Sequence, residues 1–284
     1  MSEDLLNNIE ETIGVDYEII AIDNSEQKYS ICSAYNYGAK QSKYPFLCFV
    51  HEDVVFHSKL WGEKIISHLT PSQTGIIGLA GSGFIPRIPT KWLKNERARN
   101  IIQSSNHKNY VTKHFIIPEN YTLSKKEVVA LDGVFLCMRQ DVFAHLQFDE
   151  TLGGFHAYDL DISIQSHVAK FTNYVVYDIF IEHLSIGNFN KEYFERTIAV
   201  FKKWEKFLPI STKNFFKKSI VDDKKQLGRL TKIMIRKGFL QNQIIEDITY
   251  FTSIVGTEKD ICRLKYLPLK IKWIRFSSKI RNKK

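Results

Sequence analysis

The chain lacks the marks of a secreted, membrane-spanning or zinc-stabilised protein. It has four cysteines in 284 residues, Cys32, Cys48, Cys137 and Cys262. They form no C-x-x-C pair and no zinc-like spacing. Cys48 and Cys137 lie inside apolar runs, so buried free thiols are expected, as suits a reducing cytoplasm. No run of about 18 apolar residues occurs, which argues against a bilayer-spanning helix. The opening M-S-E-D-L-L-N-N-I-E-E is acidic and polar, unlike a secretory signal. There is no internal repeat, no low-complexity segment and no recognised nucleic-acid module, so nucleic acid is not an expected partner.

What is present is a globular composition, 44% apolar and 13% aromatic, enough for a sizeable core. The net charge of +9 is unevenly spread. Residues 202–284 carry 22 Lys and Arg against 7 Asp and Glu, while residues 1–201 carry 18 against 24. A boundary near Phe207-Leu208-Pro209 therefore divides an acidic domain, 1–201, from a basic helical extension, 202–284. The extension contains Phe215-Phe216-Lys217-Lys218 and Lys270-Ile271-Lys272-Trp273-Ile274-Arg275-Phe276. Such stretches suit an anionic membrane surface, or a packed appendage with a solvated basic face.

Periodicity gives the order of elements. Leu5, Leu6, Ile9 and Ile13 lie at helical spacing between Ser2, a candidate N-cap, and Gly14, a stop. Tyr17 to Ile22 reads as a buried strand, Tyr29 to Ser42 as a helix, Phe46 to Val50 as a strand, Leu60 to Leu69 as a helix and Gly75 to Leu79 as a strand. This alternation predicts an α/β sheet with mostly parallel strands. Residues 81–126 read as a loop-rich insertion with room for a hairpin. Val128 to Met138 reads as a strand pair broken at Asp132-Gly133, Gln140 to Leu146 as a short helix, and Gly153 to Asp161 as the opening of another. Tyr174 to Ile181 reads as a strand with His183 just beyond it.

Three polar clusters follow apolar strands: Asp23-Asn24-Ser25, His51-Glu52-Asp53 and His183. In parallel sheets ligands bind beyond the carboxyl ends of strands, so all three are expected at one rim. Asp, Asn and Ser also favour plain turns, which is an equal reading of the first cluster. A turn does not require His-Glu-Asp between two apolar runs, so the second reads as functional. Asp132 interrupts a strongly apolar run and reads as a ligand contact or a turn residue. Trp61 and Trp92 suit core packing better than sugar stacking, and Arg87 is a weaker candidate for a phosphate.

Taken in order, these pieces resemble glycosyltransferases of the GT-A fold over about residues 15–190. The matching features are Asp23-Asn24-Ser25, the A-x-N-x-G helix at Ala34-Tyr35-Asn36-Tyr37-Gly38, and Phe49-Val50-His51-Glu52-Asp53 at the D-x-D position. Leu131-Asp132-Gly133-Val134-Phe135 and Asp159-Leu160-Asp161 complete the series. The H-E-D-V form with G-F-H-x-Y-D-x-D most resembles the family-2-like group related to streptomycin-biosynthesis glycosyltransferases.

The resemblance implies a mixed, mainly parallel sheet flanked by helices, with a helical C-terminal extension. It implies that Asp23, Asn24, Ser25, Asn36, His51 and Glu52 bind the nucleotide donor, that Asp53 and His183 ligate Mn²⁺ or Mg²⁺, and that Asp159 is the general base. Asp132 and Gly133 would face the sugar and acceptor. Asp161 would either bind acceptor or support its helix N-terminus. The implied reaction is metal-dependent, inverting hexosyl transfer from a nucleotide-diphosphate sugar to a hydroxyl on a glycan or lipid-linked sugar. It would serve surface polysaccharide or glycolipid synthesis, in the cytoplasm or on the inner face of the plasma membrane. Chains of this type normally open with a strand before the first helix; here the helix comes first. The first strand is therefore expected to be missing, or the start to be assigned too late. The alternative is a degenerate, non-catalytic relative that binds sugars or partners; a metal-dependent phosphate hydrolase is a further one.

Overall fold

The computed structural model describes residues 2–26, 28–90, 97–105, 110–116, 124–185, 187–213 and 223–281. Trp92 and Phe215-Phe216-Lys217-Lys218 lie outside them. Backbone contacts divide the chain into two compact units. One comprises Met1–Ile85, Trp92–Gly187 and Ile210–Phe215, the other Pro86–Lys91, Asn188–Pro209 and Phe216–Lys284. The division follows Gly187 rather than residue 201, and the chain returns to the first unit at Ile210.

The first unit opens with α1 (Glu3–Thr12), α2 (Ile31–Gln41), β1 (Phe46–Val50), β2 (Val54–Phe56) and α3 (Trp61–Leu69). Then come β3 (Thr74–Gly78), β4 (Ala80–Ser82), β5 (Phe84–Ile85), β6 (Arg97–Ser105), β7 (Tyr110–Ile116) and β8 (Lys125–Val128). It continues through β9 (Ala130–Leu131), β10 (Phe135–Arg139), α4 (Gln140–Phe143), α5 (Tyr158–Val168), β11 (Thr172–Val176) and β12 (Ile181–His183). After α6 (Lys191–Lys203), in the second unit, β13 (Ile210–Ser211) pairs back onto β5.

Local chemistry accounts for the helices. The Ser2 side chain accepts from the Leu5 N–H at 3.3 Å, and Glu3 and Asp4 sit in the first turn, where the helix dipole favours acids. Leu5, Ile9 and Ile13 recur along one face and are buried, each such side chain contributing about 1.5–3 kcal/mol. Ser30 caps α2 by accepting from the Ser33 N–H at 3.2 Å. Gly14 has φ +75, and a Cβ there would meet Leu60 Cδ2 at 2.6 Å, so α1 stops at a residue only glycine suits.

Two mixed sheets lie in this unit, one ordered β1-β10-β3-β11-β8 and the other β2-β12-β6-β4-β9, with β7 on β6. Only β11·β3 and β12·β6 are parallel among the described ladders. The sheets are thus mixed and flanked by helices, but not mainly parallel, because short turns join many of the strands and allow antiparallel return. Residues 81–126 carry more strand than a loop-rich insertion, taking part in β4 to β8, and the hairpin that the sequence left room for is β6·β7. Alternate residues of β1 face opposite cores. Leu47 and Phe49 pack with Cys32, Ala39, Tyr158 and Ile162, while Phe46 and Val50 pack on the side of Ile9, Trp61 and Phe135.

Tyr17 to Ile22 does not form the strand its composition predicts. It has no ladder partner among the described residues, and β1 ends its sheet. Between them, α1 and α2 lies a cavity of about 920 Å³, lined by residues such as Ile9, Ile20, Ile22 and Phe46. Cys48 opens toward it and is exposed, contrary to the expectation of a buried thiol, because the strand that would cover a central β1 is not there among the described residues. Its sulfur lies 3.0 Å from that of buried Cys137, its cross-strand partner.

The second unit is helical, with α6, α7 (Asp223–Arg236), α8 (Gln241–Val255), α9 (Glu258–Arg263) and α10 (Leu267–Arg281). Leu230, Met234, Phe239, Ile244, Phe251 and Ile271 are buried in it. Arg87, the weaker phosphate candidate, instead lies 4.0 Å from Asp223 within this unit.

Hydrogen exchange tests the unpaired segment. Amides of residues 17–22 should exchange without measurable protection, while those of β10, held between β1 and β3, should open only with global unfolding. Equal protection of both would mean that residues 17–22 are paired in solution.

Candidate functional site

The site forms where the chain crosses between the two sheets. His51, Glu52 and Asp53 make the turn from β1 to β2, and Asp132, Gly133 and Val134 the turn from β9 to β10. The His51 N–H donates to the Val134 carbonyl at 3.1 Å, which ties the two turns together. On the other flank β12 pairs antiparallel with β2, His183 opposite Val54, and the Leu184 N–H donates to the Asp53 carbonyl at 2.9 Å. This register delivers His183, the last residue of β12, beside Asp53.

His183 Nε2 is 3.3 Å from Asp53 Oδ1 and 3.1 Å from Ser185 Oγ. His51 Nδ1 is 3.9 Å from the same Asp53 oxygen, and the two imidazole centroids are 5.5 Å apart. One ligand atom from each of the three residues lies within 4.8 Å of the others. The hydrogen bond with His183 holds the Asp53 carboxyl well below the usual range, against the opposing effect of burial. Burial, and then the neighbouring His183, push the His51 imidazole down. An ionised carboxylate beside neutral imidazole is a donor set for a divalent cation.

Tyr158 orients His51. Its hydroxyl lies 3.0 Å from His51 Nε2 and 3.0 Å from the Gly133 carbonyl. The carbonyl can only accept, so the hydroxyl donates to it and accepts from His51 Nε2–H. That leaves the Nδ1 lone pair on the side of Asp53. A Cβ on Gly133 would come within 2.2 Å of the Tyr158 oxygen, so this glycine is fixed by close approach rather than by a turn angle.

Asp159 follows Tyr158 at the start of α5, which Ala157 enters with φ 64. One Asp159 oxygen accepts from the Gly133 N–H at 3.1 Å and the other from the Leu160 N–H at 2.8 Å. Burial first, and then the charge of Asp132, push its carboxyl up to about 7. Asp132 in turn accepts from the Val134 N–H at 3.2 Å. A carboxyl titrating near neutrality is able to accept a proton from a hydroxyl.

The other predicted residues are placed differently. Asp23 accepts from the Ser25 N–H at 2.9 Å, and Asn24 both donates to and accepts from the Tyr29 backbone. Asp23 and Ser25 are exposed, as is Glu52. Asn36 is buried, with its amide committed to the Phe148 backbone at 2.8 and 3.1 Å and to Glu150 at 2.9 Å. It pins α2 to the 148–150 segment, which replaces the expected donor contact. Asp161 has 0% exposure and accepts from Gln165 at 2.7 Å; so enclosed, it supports α5 and cannot touch an acceptor. Trp61 stacks on Phe56 at 4.2 Å in the core.

Two residues were given no role from the sequence. Tyr158 entered only as the tyrosine of G-F-H-x-Y-D-x-D. Arg99, on β6, feels the charge of Asp132, and its Nε is buried with no hydrogen-bond partner among the described residues. Its one signal was the alternation in R-A-R-N.

Gly133→Ala tests the packing under the site. Overpacking against Tyr158 should cost about 1–3 kcal/mol in denaturant unfolding and shift the His51 imidazole resonances. Unchanged stability and spectra would mean that Tyr158 is not held as described.

Residues 2–204 match the model of a family described as "Glycosyltransferase like family". Among solved structures, the chain is similar to a crystal structure of GalNAc-T7 with UDP, GalNAc and Mn2+, at 14% identity and a TM-score of 0.43. That match covers 81% of this chain and 45% of the other, so the chain spans less than half of that protein's length. Among curated proteins none matches.

Proposed function

We propose a reaction on the premise that the chain belongs to the glycosyltransferase-like family, whose model it matches over residues 2–204. The reaction is metal-dependent, inverting transfer of a hexose from a nucleoside-diphosphate sugar to a hydroxyl of a glycan or lipid-linked sugar, on a GT-A-type framework. It would serve surface polysaccharide or glycolipid assembly, on the cytoplasmic side of the membrane. The observation that carries it is the meeting of His51 and Asp53 of one turn with His183 at the end of β12 within 4.8 Å, that turn being bonded to a second whose Gly133 N–H donates to Asp159.

The donor set fits a divalent ion, with two imidazole nitrogens and one carboxylate. His51 joins the ligands here, rather than the ribose or phosphate. Two nitrogens favour Mn²⁺ over Mg²⁺, which prefers an all-oxygen shell. Such an ion would offset the charge of the departing diphosphate. Asp53 and His183 hold the ligand positions, and Tyr158 keeps the His51 lone pair turned toward them. Asp23, Asn24, Ser25 and Glu52 are offered to the nucleotide, and Asp132 and Gly133 to the sugar. Arg99 adds a positive charge that Asp132 feels. Asp159, ionised, takes the proton of the acceptor hydroxyl as it attacks on the side away from the diphosphate.

Calorimetric titration with Mn²⁺ and a transfer assay over a panel of nucleoside-diphosphate sugars test this reading. Asp53→Ala should abolish both Mn²⁺ binding and transfer. Tyr158→Phe should weaken Mn²⁺ binding by about 10–100-fold. Transfer retained by Asp53→Ala would refute the metal role. Donor binding with no transfer to any hydroxyl would favour the non-catalytic alternative.

The base has its own signature. Asp159→Asn should lower transfer by about 10²–10⁴-fold and spare donor binding. For the native chain kcat/KM should rise with pH through about 7 and then level off, since the ionised carboxyl is the active form. The stability effect has the opposite sign. A raised carboxyl pKa favours folding at low pH, and that contribution is lost as pH rises toward 7. Asp159→Asn should therefore be more stable than the native chain at pH 8, by about 1–2 kcal/mol after discounting for water at the rim, and not at pH 4.

A further inference from the structure

The outward face of α10 carries large apolar side chains in water. Leu269, Trp273 and Phe276 are 64%, 67% and 66% exposed, and Tyr266, just before the helix, is 56% exposed. At 3.6 residues per turn the first three fall within about 60° of one another, on the opposite side of the helix from Leu267 and Ile271. Those two are 6% and 0% exposed, on the face where α10 packs with α7 and α8. The helix thus has two apolar faces, and its own unit uses one.

Exposed Lys270 and Lys272 flank the outer ridge on either side. Residues 261–284 contain nine Lys and Arg and no acid. A solvated helix would place these charges on its outermost line. Here rings occupy that line and the lysines stand at its margins. That is the pattern of an interfacial helix, whose rings enter the acyl boundary while lysine stems reach back to headgroup phosphates.

We propose that this face of α10 docks the protein on an anionic bilayer surface. The proposal rests on the side chains of α10 and not on the reaction proposed above, so either can fail alone.

Co-sedimentation of the full chain with vesicles tests it, using phosphatidylcholine alone and phosphatidylcholine with about 30% phosphatidylglycerol. Binding should require the anionic lipid and fall in high salt. Lys270→Glu with Lys272→Glu should reduce it by at least about fivefold for each lysine. Trp273→Ala with Phe276→Ala should reduce it by about tenfold or more. All four residues are exposed, so thermal melting should be unchanged. Failure of the native chain to sediment with anionic vesicles would overturn the proposal, as would equal binding by the Trp273→Ala/Phe276→Ala variant. Loss of self-association or of oligonucleotide binding in that variant, with vesicle binding intact, would assign the ridge to a second copy or to nucleic acid instead.

Discussion

The hydrogen bond from the His51 N–H to the Val134 carbonyl is the contact on which the site depends. It joins the two turns by which the chain passes between sheets. Once they are fixed, the rest follows from ladder register: β1 on β10 sets His51, and β2 on β12 sets His183 against Asp53. No side chain in the cluster must find its partner through a long flexible stem. Each is held by backbone within a residue or two, which is how a scaffold keeps ligand geometry tight.

Their neighbours give the two acids opposite characters. Asp53 meets histidines and stays ionised. Asp159 meets Asp132 and an apolar surround, and is pushed to about 7. One carboxylate is thereby suited to holding a cation and the other to moving a proton, a division set by surroundings and not by residue type. Tyr158 and Gly133 link the two, because the same close approach that excludes a Cβ at Gly133 brings the tyrosine hydroxyl to His51.

The edge of β1 shows where sequence reading went astray. Tyr17 to Ile22 has strand composition, yet it borders a cavity of about 920 Å³ instead of joining a ladder. Composition states what a segment prefers; a strand also needs a neighbour with free backbone groups at the right distance. The same limit explains residues 81–126, whose loose polar pattern left room for a hairpin without showing how many strands would form, since antiparallel pairing supplies what local propensity does not.

Sequence alone determined the order of most helices and strands, the charge division along the chain, and the candidacy of His51, Asp53, Asp132 and His183, while Asp159 entered through the family resemblance. Apolar periodicity and polar residues at strand ends are local signals, readable within a few residues. Only the tertiary structure decided that His51 stands with Asp53 and His183, that Asn36 and Asp161 are internal ties, and that Tyr158 borders the site. Those outcomes depend on ladder register and on burial between residues as far apart as His51 and Tyr158, which no one-dimensional pattern encodes.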